Sequence, residues 1–383
     1  MPSNIEVTKD TTFTPIGWYQ LNKNEEYEPI IDPDTGLPMI DPATGMIMKN
    51  HVGSNYTLDL AKFNPQVFRG QIATVAQWMN QLNINDMLFT HSMVLPSFKE
   101  ADGGMMANRY AAESPLFAPY QYSRKDGGLW YKMYGTFENL QMNNNLGRVG
   151  NNAYGALIGA DFGLKDLKNG WKFMPTAYVG YNGAHQTFAH MGQYQNGGQA
   201  GFMGTWYKNN VILGALVYGG IYDNAMDVHG TTDNTFNYFA GSAFKAAYNI
   251  RLHRDWVLQP NLFASYNYFG QQNWHSKFGQ MGMMAGDLNG VNVAPGVNLI
   301  WERETFSAYG TLQYMYNVNG ACGGRAGNVG LPQVEMERGY IQYGLGINKR
   351  FTDRASGYLQ AVLRNVGRTG VGFQAGFNYM IGK

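Results

Sequence analysis

The chain has 383 residues, and its charged fraction of 14% lies well under the roughly 25% of a soluble globular domain, while Gly 49, Tyr 26, Phe 21 and Trp 8 are abundant. A formal net charge of +1 gives no electrostatic ground for a nucleic-acid partner. Mean hydropathy is −0.33 and no stretch approaches the roughly 20 apolar residues of a membrane-spanning helix, so helical spans are excluded, whereas strands that show lipid only at every second residue are not.

The first ten residues, MPSNIEVTKD, lack a basic region followed by an apolar run and form no secretory signal, so an exported chain would be a fragment or a processed form. Residues 1–56 are polar and read as an irregular leader. Within them Asp32-Pro-Asp-Thr-Gly36 and Asp41-Pro-Ala-Thr-Gly45 form a near-repeat of two turns, because Pro presets φ and Gly permits positive φ. Two such turns bring together too few oxygens for a calcium site.

Residues 57–126 hold a helix and a connector. Asn64 as N-cap and Pro65 at the first helical position open a helix in which Val67, Phe68, Ile72, Val75, Ala76, Met79 and Leu82 recur at mostly three- and four-residue steps. The pattern predicts about 18 residues, roughly 27 Å. Its other face, with Gln66, Arg69, Gln71, Thr74, Gln77 and Asn80, is polar but barely charged. From 84 to 126 no period persists; Pro96, Pro115, Pro119 and Gly103-Gly104 mark a long connector with at most one short helical turn.

From 127 to 383 the period becomes two. Leu129, Tyr131, Met133 and Phe137 alternate with Lys132, Thr136 and Glu138, and comparable rows recur down to Val371, Phe373, Ala375, Phe377 and Tyr379, twelve in all. The opposite face is small or polar, as at Gly201, Thr205, Gln259, Asn292, Asn298, Gln342 and Gln374, which suits a wet or plugged lumen and not the core of a soluble sandwich or propeller. Aromatics such as Trp171, Trp206, Trp256, Trp301 and Tyr379 gather toward strand ends, at headgroup level.

Connections alternate long (near 140–150, 183–197, 223–233, 269–289 and 317–337) and short (Lys165–Gly170, Lys208–Asn210, Arg251–Asp255, Glu302–Glu304 and Phe351–Arg354). Only the last hairpin, around Asn365–Arg368, breaks that rule. Pro175, Pro260 and Pro295 are expected near strand ends or at bulges. The fold predicted is all-β, a 12-stranded antiparallel transmembrane β-barrel of a bacterial outer membrane.

The order of parts resembles the translocator domain of type V autotransporters over about 64–383. An amphipathic helix and a connector lead to a first strand reading Gly-Gly-Leu-Trp-Tyr-Lys-Met-Tyr-Gly, and the chain closes on Val371-Gly-Phe-Gln-Ala-Gly-Phe-Asn-Tyr-Met-Ile. In that family the barrel anchors in the outer membrane, an upstream passenger reaches the surface, and the helix lies inside the barrel. The resemblance implies that Pro65 to about Leu82, with Phe68, Arg69, Ile72, Val75 and Met79, occupies the lumen with its polar side toward Gly and Asn rows. It implies a passenger upstream, of which residues 1–56 would be a remnant, and Phe373, Phe377 and Tyr379 as part of the signal read by the barrel-assembly machinery. Outer-membrane lipids are the other expected partner, and a monomer is expected.

The chain departs from the family at Met380-Ile-Gly-Lys383, where a terminal Phe or Trp is usual. No Asn-Asn bond occurs between 64 and 85, so self-cleavage of the kind some members perform is not expected.

No catalytic residue, metal site or cofactor is expected. His185, His190, His229 and His275 fall in predicted long loops near Asp223, Asp227 and Asp233 without a catalytic or zinc spacing, and His253 falls in a short turn. Asp161, Lys172 and Lys245 read as lumen-facing charges that pair with one another and with the helix. Cys322, the only cysteine, stands in the loop Gly320–Gly324 with no second thiol to resolve it. The reading is a non-enzymatic anchor and translocator; a stand-alone porin and an outer-membrane hydrolase are the alternatives.

Overall fold

The computed structural model describes residues 11–94, 127–143, 146–253, 255–303, 305–352 and 354–381. The expected connector with Pro96, Gly103-Gly104, Pro115 and Pro119 lies outside them, as does Lys383. The described residues form two compact units, divided after Val67.

In the first unit the expected irregular leader is instead a sheet: β1 (Thr11–Phe13) pairs with β2 (Gly17–Pro29), which pairs with β3 (Lys49–Phe63). Opposed residues Tyr19–Leu60, Leu21–Leu58 and Lys23–Tyr56 build one face, while Gln20–Asp59, Asn22–Thr57 and Asn24–Asn55 build the other. Two register shifts, at Trp18/Tyr19 and Glu26/Tyr27, interrupt the alternation. That interruption, with a composition rich in Asn and Glu, hides the strands from a periodicity reading.

Both Asp-Pro-x-Thr-Gly turns are present at the ribbon's tip, with Gly36 and Gly45 at φ 70° and 69°. Asp32 accepts from the Asp34 N–H and Asp41 from the Ala43 N–H, both at 2.9 Å. These backbone donors, and then the hydroxyls of Thr35 and Thr44, hold the two carboxyls below the usual carboxylate range. Asn64 caps the short 3-10 turn Pro65–Phe68 by accepting the Gln66 N–H at 3.1 Å.

The second unit is a closed barrel around one helix, α1 (Arg69–Met93). Its twelve wall strands are β4 (Gly128–Met142), β5 (Gly147–Asp161), β6 (Lys172–Phe188), β7 (Met191–Lys208), β8 (Val211–Val228) and β9 (Thr231–Tyr248). They continue with β10 (Trp256–Phe269), β11 (Met281–Glu302), β12 (Phe306–Asn319), β13 (Gly339–Arg350), β14 (Ala355–Val366) and β15 (Arg368–Met380). Each is antiparallel to its neighbours, and β15 closes on β4 in a register running from Met380↔Gly128 to Arg368↔Leu140.

Closure sorts the alternating side chains. Leu129, Tyr131, Met133 and Phe137 are exposed on the outer wall, while Trp130, Lys132, Tyr134, Thr136 and Glu138 of the same strand are buried inside. Every predicted row of apolar residues coincides with one wall strand.

The expected loop asymmetry takes another form. The stretches 183–197 and 223–233 are not loops but strand continuations that turn at Ala189-His190 and His229-Gly230, where both residues of each pair have positive φ. The 269–289 and 317–337 stretches contain the strand Gln272–Ser276 and the hairpin Cys322–Ala326/Val329–Val334. The asymmetry is one of wall height, because these extensions carry polar residues on both faces and show no apolar period.

Pro175 and Pro260 lie four and five residues into their strands, near the short-turn end, as expected. Pro295 instead sits well inside β11, where pairing with β12 skips Ala294 and Pro295 because proline has no N–H to give.

Val217 faces outward, well inside β8, and is 56% exposed. Val217→Arg would place a cation against hydrocarbon at mid-wall and is expected to destabilise the barrel by about 2–4 kcal/mol. Urea unfolding in lipid vesicles, followed by tryptophan emission, measures this; Val217→Leu should unfold as the parent does.

Candidate functional site

α1 has 25 residues, about 37 Å at 1.5 Å per residue, enough to traverse a hydrocarbon core of roughly 30 Å. The helix runs eleven residues past the expected end at Leu82. Every residue except Asp86 is buried, so polar and apolar sides are both enclosed by the wall. A helix buried all round has no one-sided period, which is why Ile84, Met87, Leu88 and Phe89 did not read as helix.

Phe68, Arg69, Ile72, Val75 and Met79 all lie in this enclosed stretch. The polar side meets wall amides as expected, and the apolar side is enclosed by the wall as well. Trp78 shows how close the fit is: a Cβ on Gly290 or Gly320 would fall 2.4 or 2.0 Å from its indole ring.

At the end of the tall hairpins, the Arg69 guanidinium donates to Asp233 Oδ2 and to Ser276 Oγ, each at 2.6 Å. Asp233 also accepts the Lys277 N–H at 2.8 Å. Gln71 Nε2 donates to the carbonyls of Cys322 (2.8 Å) and Pro332 (2.9 Å).

Along the middle, Gln77 donates to Asn224 and accepts from Asn237, both at 2.8 Å. Trp78 Nε1 donates to Asn292 at 3.0 Å, Asn151 donates to Asn80 at 2.8 Å, and Asn85 donates to the Tyr218 hydroxyl at 2.9 Å. Amides inside a lumen need such partners, because a buried unpaired amide costs about 1–3 kcal/mol.

At the short-turn end the last helical carbonyls, which have no partner within the helix, accept from the wall. Tyr207 Oη donates to Ser92 O at 2.8 Å and Gln259 Nε2 to Met93 O at 2.9 Å. His91 Nε2 lies 3.0 Å from Asp161 Oδ2, and Asp161 also accepts from Thr176 at 2.7 Å.

Of the three lumen charges expected, two are placed as read. Asp161 is buried against His91, and Lys245 lies 3.7 Å from Asp86 of the helix. Lys172 is a correction: it has inward parity but stands at the first position of β6, beyond the lumen, half-exposed and 3.9 Å from Asp166. Phe373, Phe377 and Tyr379 form an exposed outward row on β15.

The strongest charge cluster was missed. Glu138 accepts from Arg368 Nε at 2.7 Å and Nη2 at 2.8 Å and from Arg364 at 3.3 Å, all three groups being buried. Arg368 Nη2 also donates to Asn83 of the helix at 2.8 Å. Parity already puts Glu138 on the face opposite Phe137 and puts Arg364 opposite Leu363 in the same way, but nothing local joins them; Arg368 reads as a turn residue because β15 begins on it.

His185 and His275 lie on strands and not in loops, His185 stacked on Tyr194 at 4.4 Å. His190 and His229 occupy tight turns, the latter with its ring 5.2 Å from Phe278. Cys322 belongs to a strand, is buried, and places its Sγ 3.3 Å from Gly286 O, so its loop assignment is corrected.

Replacing Glu138 with Ala leaves two buried guanidinium groups without their carboxylate, and the expected loss is about 3–5 kcal/mol in urea unfolding. Lys172→Gln, which removes an exposed rim pair, should leave the unfolding midpoint where it was.

No curated protein matches the chain in sequence. The autotransporter beta-domain family matches residues 129–362. The transport unit of the autotransporter AIDA-I from Escherichia coli superposes with a TM-score of 0.59 at 15% identity, over 74% of this chain and 98% of that one. The beta domain of the Bordetella autotransporter BrkA gives 0.53 at 14% identity, over 66% and 99%. The translocator domain of NalP from Neisseria meningitidis gives 0.53 at 12% identity, over 72% and 95%. At these identities the likeness to solved structures is one of fold, but the family match spans more than half of the sequence. With twelve strands closed around one helix, the chain belongs to the autotransporter beta-domain family.

Proposed function

We propose that this chain is the anchor and translocator of a passenger attached ahead of its helix, with α1 left in the lumen as both tether and plug. The barrel is an outer-membrane translocator by family; to this we add the passenger, the plug and the assembly route. The observation that carries it is the pairing of α1 with the wall along its whole length. Arg69 is held at the tall hairpins and Ser92 and Met93 at the short turns. A passenger joined ahead of Arg69 is tethered at the mouth framed by those hairpins.

The outward row Phe373, Phe377 and Tyr379 on the closing strand supports recognition by a barrel-assembly machinery, and the lipid-facing wall supports outer-membrane lipid as the surrounding partner. One barrel encloses its own helix, which supports a monomer as the working unit. A lumen occupied by α1, whose side chains pair with wall amides such as Asn151, Asn224 and Asn292, supports a non-enzymatic role.

Planar-bilayer recording tests the plug. The intact chain should conduct little, and deletion of residues 64–93 should open a steady channel. A large steady conductance from the intact chain would overturn the plugged translocator in favour of a stand-alone pore.

A further inference from the structure

The outer wall is not uniformly ridged. Where β13, β14, β15 and β4 meet, two depressions of about 540 and 520 Å³ share Met133, Ile347, Leu359 and Ala375 and so form one groove. At mid-wall the groove is floored by Gly135 and Ala361 between Leu345 and Phe373. Toward the short turns it runs between Tyr131, Phe351 and Phe377 and ends at Lys349. Cross-strand register explains the shape: Phe373 stands opposite Gly135 and Ala361, and Ala375 stands opposite Met133 and Leu359, so large residues flank small ones.

The mouth of the groove is cationic. The segment Lys349-Arg-Phe-Thr-Asp-Arg354 carries three cations against one acid. Lys349 is exposed and donates to the Thr305 hydroxyl at 3.3 Å, and among the described residues no carboxylate pairs with Lys349 or Arg354. Tyr131, Phe351 and Phe377 line this end of the groove, and aromatic rings of this kind favour the headgroup level of a bilayer. An apolar furrow that opens among rings onto exposed ammonium and guanidinium groups matches one ligand in both chemistry and orientation: an acyl chain below and an anionic phosphate above.

We propose that this groove is a binding site for an anionic phospholipid of the leaflet at the short-turn side, its acyl chain along Ala361 and Ala375 and its phosphate at Lys349 and Arg354. The site rests on the reading of the barrel as membrane-embedded and adds to it a preferred lipid. Neutral lipid fills the same furrow without the phosphate charge, so selectivity resides in the cations and occupancy in the furrow. Because the cations are exposed, the preference falls as salt rises.

The test uses the full chain in detergent with phosphatidylglycerol and phosphatidylcholine in equal amounts, reading bound lipid by native mass spectrometry. Phosphatidylglycerol should be retained in preference, Lys349→Gln and Arg354→Gln should each weaken it about fivefold, and Lys165→Gln, a rim cation away from the groove, should change nothing. Ala361→Phe, which fills the furrow, should lower retention of both lipids. Equal retention of the two lipids, or a preference unchanged in the Lys349 and Arg354 variants, would overturn the site. A second copy of the chain on this face, seen as a lipid-free dimer lost in Ala361→Phe, would overturn it as well. Failure of the chain to insert into phosphatidylcholine vesicles would instead refute the membrane reading itself, and insertion without lipid preference refutes only the site.

Discussion

The pairing of β15 with β4 is the constraint on which the rest depends. Over thirteen residue pairs it joins the end of the sheet to its beginning and leaves no open edge on the wall. Hydrocarbon offers no partner to a backbone N–H or C=O, so only a closed sheet meets lipid without unpaired edge groups. Closure also gives the sheet an inside and an outside. A Phe373 that would be an ordinary exposed residue on an open sheet then stands on the outer wall, and its neighbour Gln374 becomes a lumenal one.

Closing twelve strands creates a second problem, because so wide a barrel cannot be filled by its own side chains as an eight-stranded one can. Here the helix fills it. Wall amides at Asn151, Asn224, Asn237 and Asn292 would satisfy one another poorly across an empty lumen; instead they meet Asn80, Gln77 and Trp78. The exchange is mutual, since the wall answers the unpaired carbonyls at the end of α1 through Tyr207 and Gln259. Helix and wall therefore stabilise the same state, and the charges that bind them, Arg69–Asp233 and Asp86–Lys245, fall at separate points along the axis.

The two rims differ for a related reason. Tall hairpins rise on one side with polar residues on both faces, a pattern suited to water. The other side turns quickly among aromatic rings and cations, with Lys208 5.6 Å from the Trp171 ring centre and Arg303 5.5 Å from that of Trp301. Rings with an apolar body and cations with a long stem both fit a headgroup layer.

Much of this was legible in the sequence. Period two, a lipid-facing apolar row and a small or polar partner row are local properties, so twelve strands, their facing and the inward parity of Asp161 and Lys245 follow from residue order alone. The turn that leads into the helix is equally local, since Asn64 accepts the Gln66 N–H and Pro65 opens the 3-10 turn from which α1 continues. What the sequence could not decide depends on what surrounds a residue. The last third of α1 lacks a period because the wall encloses all its sides, and the tall hairpins lack one because polar residues line both of their faces, the inner ones, such as Gln195, Asn224 and Asp233, buried against α1. Strand height sends Lys172 to the rim despite its inward parity. Only barrel closure brings Glu138 from the first wall strand against Arg364 and Arg368 from the last two, more than two hundred positions away in sequence, and a charge pair across that distance leaves no local pattern to read.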